Sequence, residues 1–284
     1  MSKRSNRLDF REKNKTYYKD LERIHQLLVA PGLRVLEIGC GVGDLLNEVK
    51  PSHGVGIEIN PEVVKIARNR HPNLKIIEAD AEKITPELIN EKETFDIILV
   101  NNTLNTVNDV QGLLERLEDF SDEKTRLIVS FHNWLWQPFL KLAEKLGQRE
   151  PQPAESWLSP MDVTNLLDLA GWEVLKNGNR CLMPRRLPLL TSISNRWISQ
   201  LPLLDQLGLT HWMVSRLSSK KRKEVGVSVI IPARNESGNI EAAIKRLPSL
   251  GSFTEVIFVE GHSSDDTWEK IKTVTNNYNG PFKL

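Results

Sequence analysis

The chain is poor in cysteine, holding only Cys40 and Cys181, far apart and without metal-ligand spacing. This excludes a disulfide framework and fits a reducing compartment. It also lacks any uninterrupted apolar run of about 18 residues, the length of a spanning helix. The basic start, MSKRSNRLDFREKNK, has no apolar stretch behind it and so reads as neither export signal nor anchor. A cytoplasmic location is expected. Internal repeats and low-complexity tracts are missing too, and 39% hydrophobic with 26% charged residues belongs to an ordinary folded chain.

A formal charge of +1 hides an uneven distribution. Cations gather in the first twenty residues and again from Arg180 to Lys223, where Arg185, Arg186, Arg196, Arg216, Lys220, Lys221, Arg222 and Lys223 meet few acids. Such runs are solvated faces or anion-binding surfaces. The stretch 189–223, which carries Trp197 and Trp212 among leucines and arginines, is a candidate peripheral membrane contact. Nucleic acid is not expected as a partner.

Apolar periodicity alternates regularly along the first 187 residues. Tyr17 to Val29 reads as an amphipathic helix. Leu33 to Ile38, Gly54 to Ile59, Leu74 to Ala79, Phe95 to Val100 and Arg126 to Ser130 read as strands, with helices over Asp44–Lys50, Pro61–Arg70, Asp109–Phe120, Leu135–Leu146 and Pro160–Ala170. Asn60-Pro61 has the form of an N-cap followed by proline at the first helical position. Trp172–Lys176 and Arg180–Met183 read as a closing hairpin about Asn177-Gly178. Leu189 to Leu217 reads as two short amphipathic helices and Ser218 to Glu224 as a polar linker. After it, Val227–Ile231, Gly238–Leu247 and Glu255–Val259 begin a second α/β unit. Strands alternating with helices imply a doubly wound parallel sheet with an antiparallel end. The expected domains are 1–187, a connecting segment 188–224, and 225–284.

The most informative stretch is Val35-Leu36-Glu37-Ile38-Gly39-Cys40-Gly41-Val42-Gly43. A strand delivers the backbone to a glycine-rich turn that opens a helix, an arrangement suited to close approach of an anionic group. Glu58 lies nineteen positions after Gly39 at the end of the second strand, where a carboxylate accepts ribose hydroxyls. Asp80, between Ala79 and Ala81, ends the third strand, where a carboxylate accepts a hydrogen bond from the adenine amine. Glu37 precedes the turn, where it meets a ligand ammonium. A dinucleotide fingerprint wants G-x-G-x-x-G, and Asp44 occupies its third glycine position.

These residues, with Gly56-Ile57-Glu58-Ile59 and Phe95-Asp96-Ile97-Ile98, resemble the successive motifs of class I S-adenosylmethionine-dependent methyltransferases over residues 10–187. The resemblance implies a Rossmann-like seven-stranded sheet with its last strand antiparallel, and S-adenosyl-L-methionine as cofactor. It assigns Glu37, Gly39, Gly41 and Gly43 to the methionine end, with Cys40 in the same turn. Glu58 goes to the ribose and Asp80 to the adenine, and their neighbours Ile59 and Ala81 are counted with the cofactor residues.

At the sheet edge, Asn101, Asn102 and Asn105 follow the fourth strand and His132 the fifth. The asparagines orient an acceptor or turn the chain. His132 is a general base or a packed side chain beside Phe131 and Trp134. Asn101 is counted with both the acceptor and the cofactor residues. Trp134, Trp136 and Trp157 lie where a lid over the acceptor is usual, or serve the core. Tyr17, with Tyr18, closes over the cofactor or docks its helix. No metal is expected.

In the second unit, Val227 to Glu236 with Gly238-Asn239-Ile240, and Val259 to Thr267, resemble the opening of a family-two, GT-A glycosyltransferase. Its downstream acidic and catalytic motifs are not in this sequence, so sugar transfer is not expected from these residues. The expected function is methyl transfer to a small-molecule acceptor, a glycan or lipid-linked sugar intermediate. The alternatives are RNA methylation and a non-catalytic docking module.

Overall fold

In the computed structural model, residues 3–91, 93–149, 156–180, 207–218 and 226–284 are described. The chain divides into two compact units, Met1–Ser219 and Lys220–Leu284.

The first unit begins with α1 (Lys3–Lys13) and α2 (Lys15–Leu28). It continues through β1 (Arg34–Ile38), α3 (Asp44–Glu48), β2 (His53–Glu58), α4 (Pro61–Arg70), β3 (Lys75–Glu78), α5 (Pro86–Ile89) and β4 (Ile97–Asn101). Then come α6 (Val110–Arg116), β5 (Arg126–His132), α7 (Gln137–Lys145), α8 (Pro160–Leu169), β6 (Trp172–Arg180) and β7 (Thr210–Leu217). The seven strands form one sheet in the order β3-β2-β1-β4-β5-β7-β6. The first five are parallel, and β7 runs antiparallel to both β5 and β6.

Both faces of this sheet are covered, which explains the unbroken apolar strands. Leu36, Ile38, Ile98 and Val100 enter one core cluster, and Val35, Ile97, Leu99 and Ile128 the other. Asn60 caps α4 as its sequence implies, accepting from the Glu62 N–H at 3.0 Å. Strand order reverses between β1 and β4, and the crevice at their carboxyl ends is where such sheets bind ligands.

Two expectations are corrected at the end of this unit. The chain does not turn at Asn177-Gly178: β6 runs straight through, and a β-carbon on Gly178 would lie 2.6 Å from the Trp212 ring. That glycine makes room for an indole. Arg180, expected to begin the partner strand, belongs to β6 itself, 181–183 lie outside the described residues, and β6 pairs with β7, which the sequence reads as helix. Residues 189–206, and with them most of the membrane-contact stretch 189–223, lie outside the described residues, as does Cys181. Of the basic run, Arg216 pairs with Glu173 at 3.1 Å.

The second unit contains β8 (Gly226–Ala233), α9 (Ile240–Arg246), β9 (Phe253–Glu260) and α10 (Thr267–Asn277). Its strands pair in parallel, and Ala233, Ile240 and Ile271 form its small core. Among the described residues no helix is long and apolar enough to cross a membrane.

Candidate functional site

β1 empties into a loop whose three glycines all have positive φ: +71° at Gly39, +55° at Gly41 and +80° at Gly43. An L side chain is strained in that region. At Gly39 there is also no room, since a β-carbon would sit 2.2 Å from the Thr103 hydroxyl oxygen. That hydroxyl lies 2.9 Å from the Ile38 carbonyl and 3.1 Å from the Asn101 carbonyl, so its hydrogen ties the tips of β1 and β4. At Gly41 nothing lies within 4 Å of the missing β-carbon, and the loop is open there.

The Gly41 N–H donates to Glu58 Oε2 at 3.1 Å, and the Asn60 N–H to Glu58 Oε1 at 2.9 Å. The buried Glu58 carboxylate is thereby fixed at the tip of β2 beside the glycine turn. The Cys40 side chain is buried against Gly56, its N–H donates to the Ile57 carbonyl at 2.9 Å and its carbonyl accepts from the Gly43 N–H at 2.9 Å. The helix after the loop, α3, has only five residues. The dipole expected at its start is that of little more than one turn.

Glu37 is 2% exposed, and among the described residues its Oε2 has no hydrogen-bond partner. Burial pushes its carboxyl up to about 8, against the opposing charge of Arg11. Arg11 was not singled out from sequence, yet it stands over this corner. Its Nε lies 2.7 Å from Asp44 Oδ2, its Nη2 3.0 Å from Glu22 Oε1, and its guanidinium 4.2 Å above the Tyr18 ring. Asp44 directly follows the glycine loop and also holds Arg70 and His71 at 2.6 and 2.7 Å. Burial alone would raise the Asp44 pKa, but these hydrogen bonds and charges hold it below the ordinary value.

Asp80 caps the turn that starts at Ala81, accepting from the Glu82 N–H at 3.0 Å and pairing with Lys83 at 3.0 Å. Those hydrogen bonds keep its pKa low. Ala81 packs against the core, whereas Ile59 is 64% exposed beside Glu58.

On the other side of the switch point, three residues read separately from sequence come together. The Tyr17 hydroxyl accepts from Asn102 Nδ2 at 2.9 Å and lies 3.2 Å from His132 Nε2. Asn102 holds a positive φ of 51°, which aims it there. Asn101 is turned aside, its Oδ1 accepting from the Ser130 hydroxyl at 2.6 Å. Burial, reinforced by the charge of Arg149, pushes the His132 imidazole down to about 3. It is therefore neutral at pH 7, with Nε2 within hydrogen-bonding distance of the Tyr17 hydroxyl. Asn105, also at this edge, is 3% exposed, and among the described residues neither side-chain amide atom has a partner.

Of the three tryptophans, Trp134 is exposed, while Trp136 donates to the Leu207 carbonyl at 2.8 Å and packs on the Tyr17 cluster. Trp157 is half-buried. Among the described residues no group of acidic, histidine or cysteine side chains is arranged to hold a metal.

Comparison with known proteins bears on this arrangement. A family model described as a methyltransferase domain matches residues 30–171, half of the chain, and one for glycosyl transferase family 2 matches residues 228–284. A ubiquinone biosynthesis O-methyltransferase of Rhodopseudomonas palustris is 31% identical over 109 residues, covering 38% of this chain and 43% of that protein. One from Bradyrhizobium diazoefficiens is 29% identical over 143 residues, covering 48% and 56%. The chain thus spans about half the length of the curated relatives it matches. Among solved structures, a SAM-dependent methyltransferase of Thermotoga maritima superposes with a TM-score of 0.57 at 19% identity, over 73% of this chain and 92% of that one. One from Mesorhizobium loti gives 0.50 at 16%, over 66% and 92%. At such identities the likeness is one of fold.

Proposed function

This chain belongs to the methyltransferase-domain family, and from that membership we propose that its first unit binds S-adenosyl-L-methionine and methylates a small-molecule acceptor. One observation carries the cofactor half of this reading. Beneath a loop held open by positive-φ glycines lies a buried carboxyl, Glu37, with an oxygen that nothing among the described residues satisfies. A buried polar atom without a partner costs stability unless a ligand completes it. The ammonium of a methionine moiety is such a ligand.

Glu58 keeps acceptor capacity beyond its two backbone bonds, since a carboxylate has about four lone-pair sites, and this suits ribose hydroxyls. The low Asp80 pKa keeps it an acceptor for an exocyclic amine, and exposed Ile59 offers an apolar contact to a ring. When bound, the cofactor supplies a methyl on a cationic sulfur, open to in-line displacement by a nucleophile. The protein's own part is to hold the acceptor in line and exclude water.

Around Tyr17, Asn102 and Asn105 the polar groups are uncharged, which favours an acceptor held through hydroxyl or amide groups. His132 is too weak a base at a pKa of about 3, and its Nε2 already lies against the Tyr17 hydroxyl. It therefore positions Tyr17 rather than removing a proton. The name of the curated relatives favours oxygen as the methylated atom, and the second unit favours a glycan or lipid-linked sugar context. The test is incubation of the full chain with methyl-labelled cofactor and fractionated cell extract. A labelled small molecule is the expected product. Failure of S-adenosylhomocysteine to bind in calorimetry overturns the reading.

A further inference from the structure

The helix that follows β5 has an apolar side that the core does not use. Phe139 and Leu142 of α7, with Leu135 in the 3-10 turn just before it and Leu146 at its C-cap, recur at i, i+4, i+7 and i+11 from Leu135, the spacing of one helical face. They are 39%, 63%, 54% and 64% exposed. No side chain within α7 is fully buried. Its inner side is already occupied: Leu140, with Trp136 just before the helix, packs on Tyr17, Leu21 and Leu209. The stripe is therefore a second apolar face, extended at its start by Trp134, 49% exposed. Isolated exposed leucines need no explanation, but a contiguous stripe over three turns marks a contact surface.

Charge identifies what that surface fits. Lys141 and Lys145 are exposed along one flank of the stripe, and among the described residues neither makes an ion pair. Lys13 reaches the end of the same helix, its Nζ 3.3 Å from the Gly147 carbonyl. The neighbouring acids are already neutralised, Glu144 by Arg149 and Glu12 by Lys15. An apolar stripe with uncompensated lysines beside it is the pattern of a helix lying in a membrane interface, leucines and phenylalanine among the acyl chains and ammonium groups at the phosphates. At nine residues α7 is too short to do more than lie there.

We propose that α7 docks the protein flat on an anionic lipid surface through Leu135, Phe139, Leu142 and Leu146, with Lys141 and Lys145 meeting the headgroups. The inference stands independently of cofactor binding. In flotation assays the full chain is expected to rise with phosphatidylcholine vesicles containing phosphatidylglycerol, to do so far less with phosphatidylcholine alone, and to be released by raised salt. The double substitution Phe139→Glu and Leu142→Glu should cut partition by at least about tenfold, because inserting even one such side chain is worth that much. Its melting temperature should be unchanged. Lys141→Glu with Lys145→Glu should weaken binding to the anionic vesicles only.

Any of the following results would overturn the proposal. One is a wild-type chain that ignores both vesicles, or a stripe variant that floats as well as wild type. Another is a concentration-dependent dimer that the stripe variant abolishes, which would assign the face to a second copy. A last one is a lowered melting temperature of the stripe variant without any change in flotation, which would assign the face to packing within the chain.

Discussion

If Glu37 receives the ammonium of the cofactor, binding must expel a proton. With a pKa of about 8 in the free protein, the carboxyl is protonated in roughly nine molecules of ten at pH 7. An ammonium beside Glu37 favours the ionised form, so complex formation should release about 0.9 proton per ligand at that pH. Apparent affinity should then rise about tenfold per pH unit between roughly 6 and 7.5, a range in which an α-amine remains mostly protonated.

The same carboxyl enters folding stability with a defined sign. Its folded pKa is raised, so its contribution is fully present below the unfolded value of 4.5 and is lost as pH rises through about 8. The integrated effect is at most on the order of 5 kcal/mol. Calorimetric titration with S-adenosylhomocysteine in phosphate and in Tris separates the proton from the ligand, because the two buffers differ in ionisation enthalpy. Equal heats in both buffers, or the same release from Glu37→Gln as from wild type, would refute the reasoning.

Gly39→Ala should destabilise the first unit by about 2–3 kcal/mol, through left-handed strain and loss of the Thr103 hydrogen bonds, while Gly41→Ala should cost only about 1 kcal/mol. Equal losses in denaturant titration would contradict the crowding at Gly39. Tyr17→Phe leaves Asn102 Nδ2 and His132 Nε2 without their partner and should lower stability by about 1–2 kcal/mol. In nitrogen NMR the wild-type His132 should carry its proton on Nδ1, leaving Nε2 to accept from Tyr17, and finding it on Nε2 would reverse that assignment.

At the opposite end of the strands, Glu91 accepts from Lys75 at 2.6 Å, and from Arg34 and His53 at 3.1 Å each. Burial raises its pKa, but the hydrogen bonds from Lys75 and His53 outweigh this and leave it lowered. Its stabilisation is thus present at neutral pH and lost as pH falls through the folded pKa. Glu91→Gln should cost about 2 kcal/mol at pH 7, or about 4–8 °C in melting temperature, with the gap closing toward pH 4.

The parallel half of the fold was legible because each of its signals is local. Residues 35–43 state their backbone conformation through glycine, and FDIILV states two-sided burial through its lack of polar positions. β7 gave no such signal. Its Thr210, Trp212, His211 and Met213 are buried on both faces, so apolar and polar residues do not alternate. The run of leucines and tryptophans around it imitated a helix, and Asn177-Gly178 imitated a turn. The contacts that complete the site were also beyond sequence reach. Arg11 meets Asp44 thirty-three positions away, and Tyr17 meets Asn102 and His132 eighty-five and 115 positions away. Spacing along the chain says nothing about such encounters until the sheet order is known.

The Thr103 hydroxyl has a consequence for how this enzyme family member can change. Because one hydrogen joins the ends of two strands, the backbone after β4, proposed to shape the acceptor side, and the glycine loop after β1, proposed to cradle the methyl donor, move as one piece. While position 103 keeps its hydroxyl, substitutions from 101 to 106 that alter preference for one substrate will therefore be felt by the other. Neutral drift in specificity should run through 102 and 105 and spare 103.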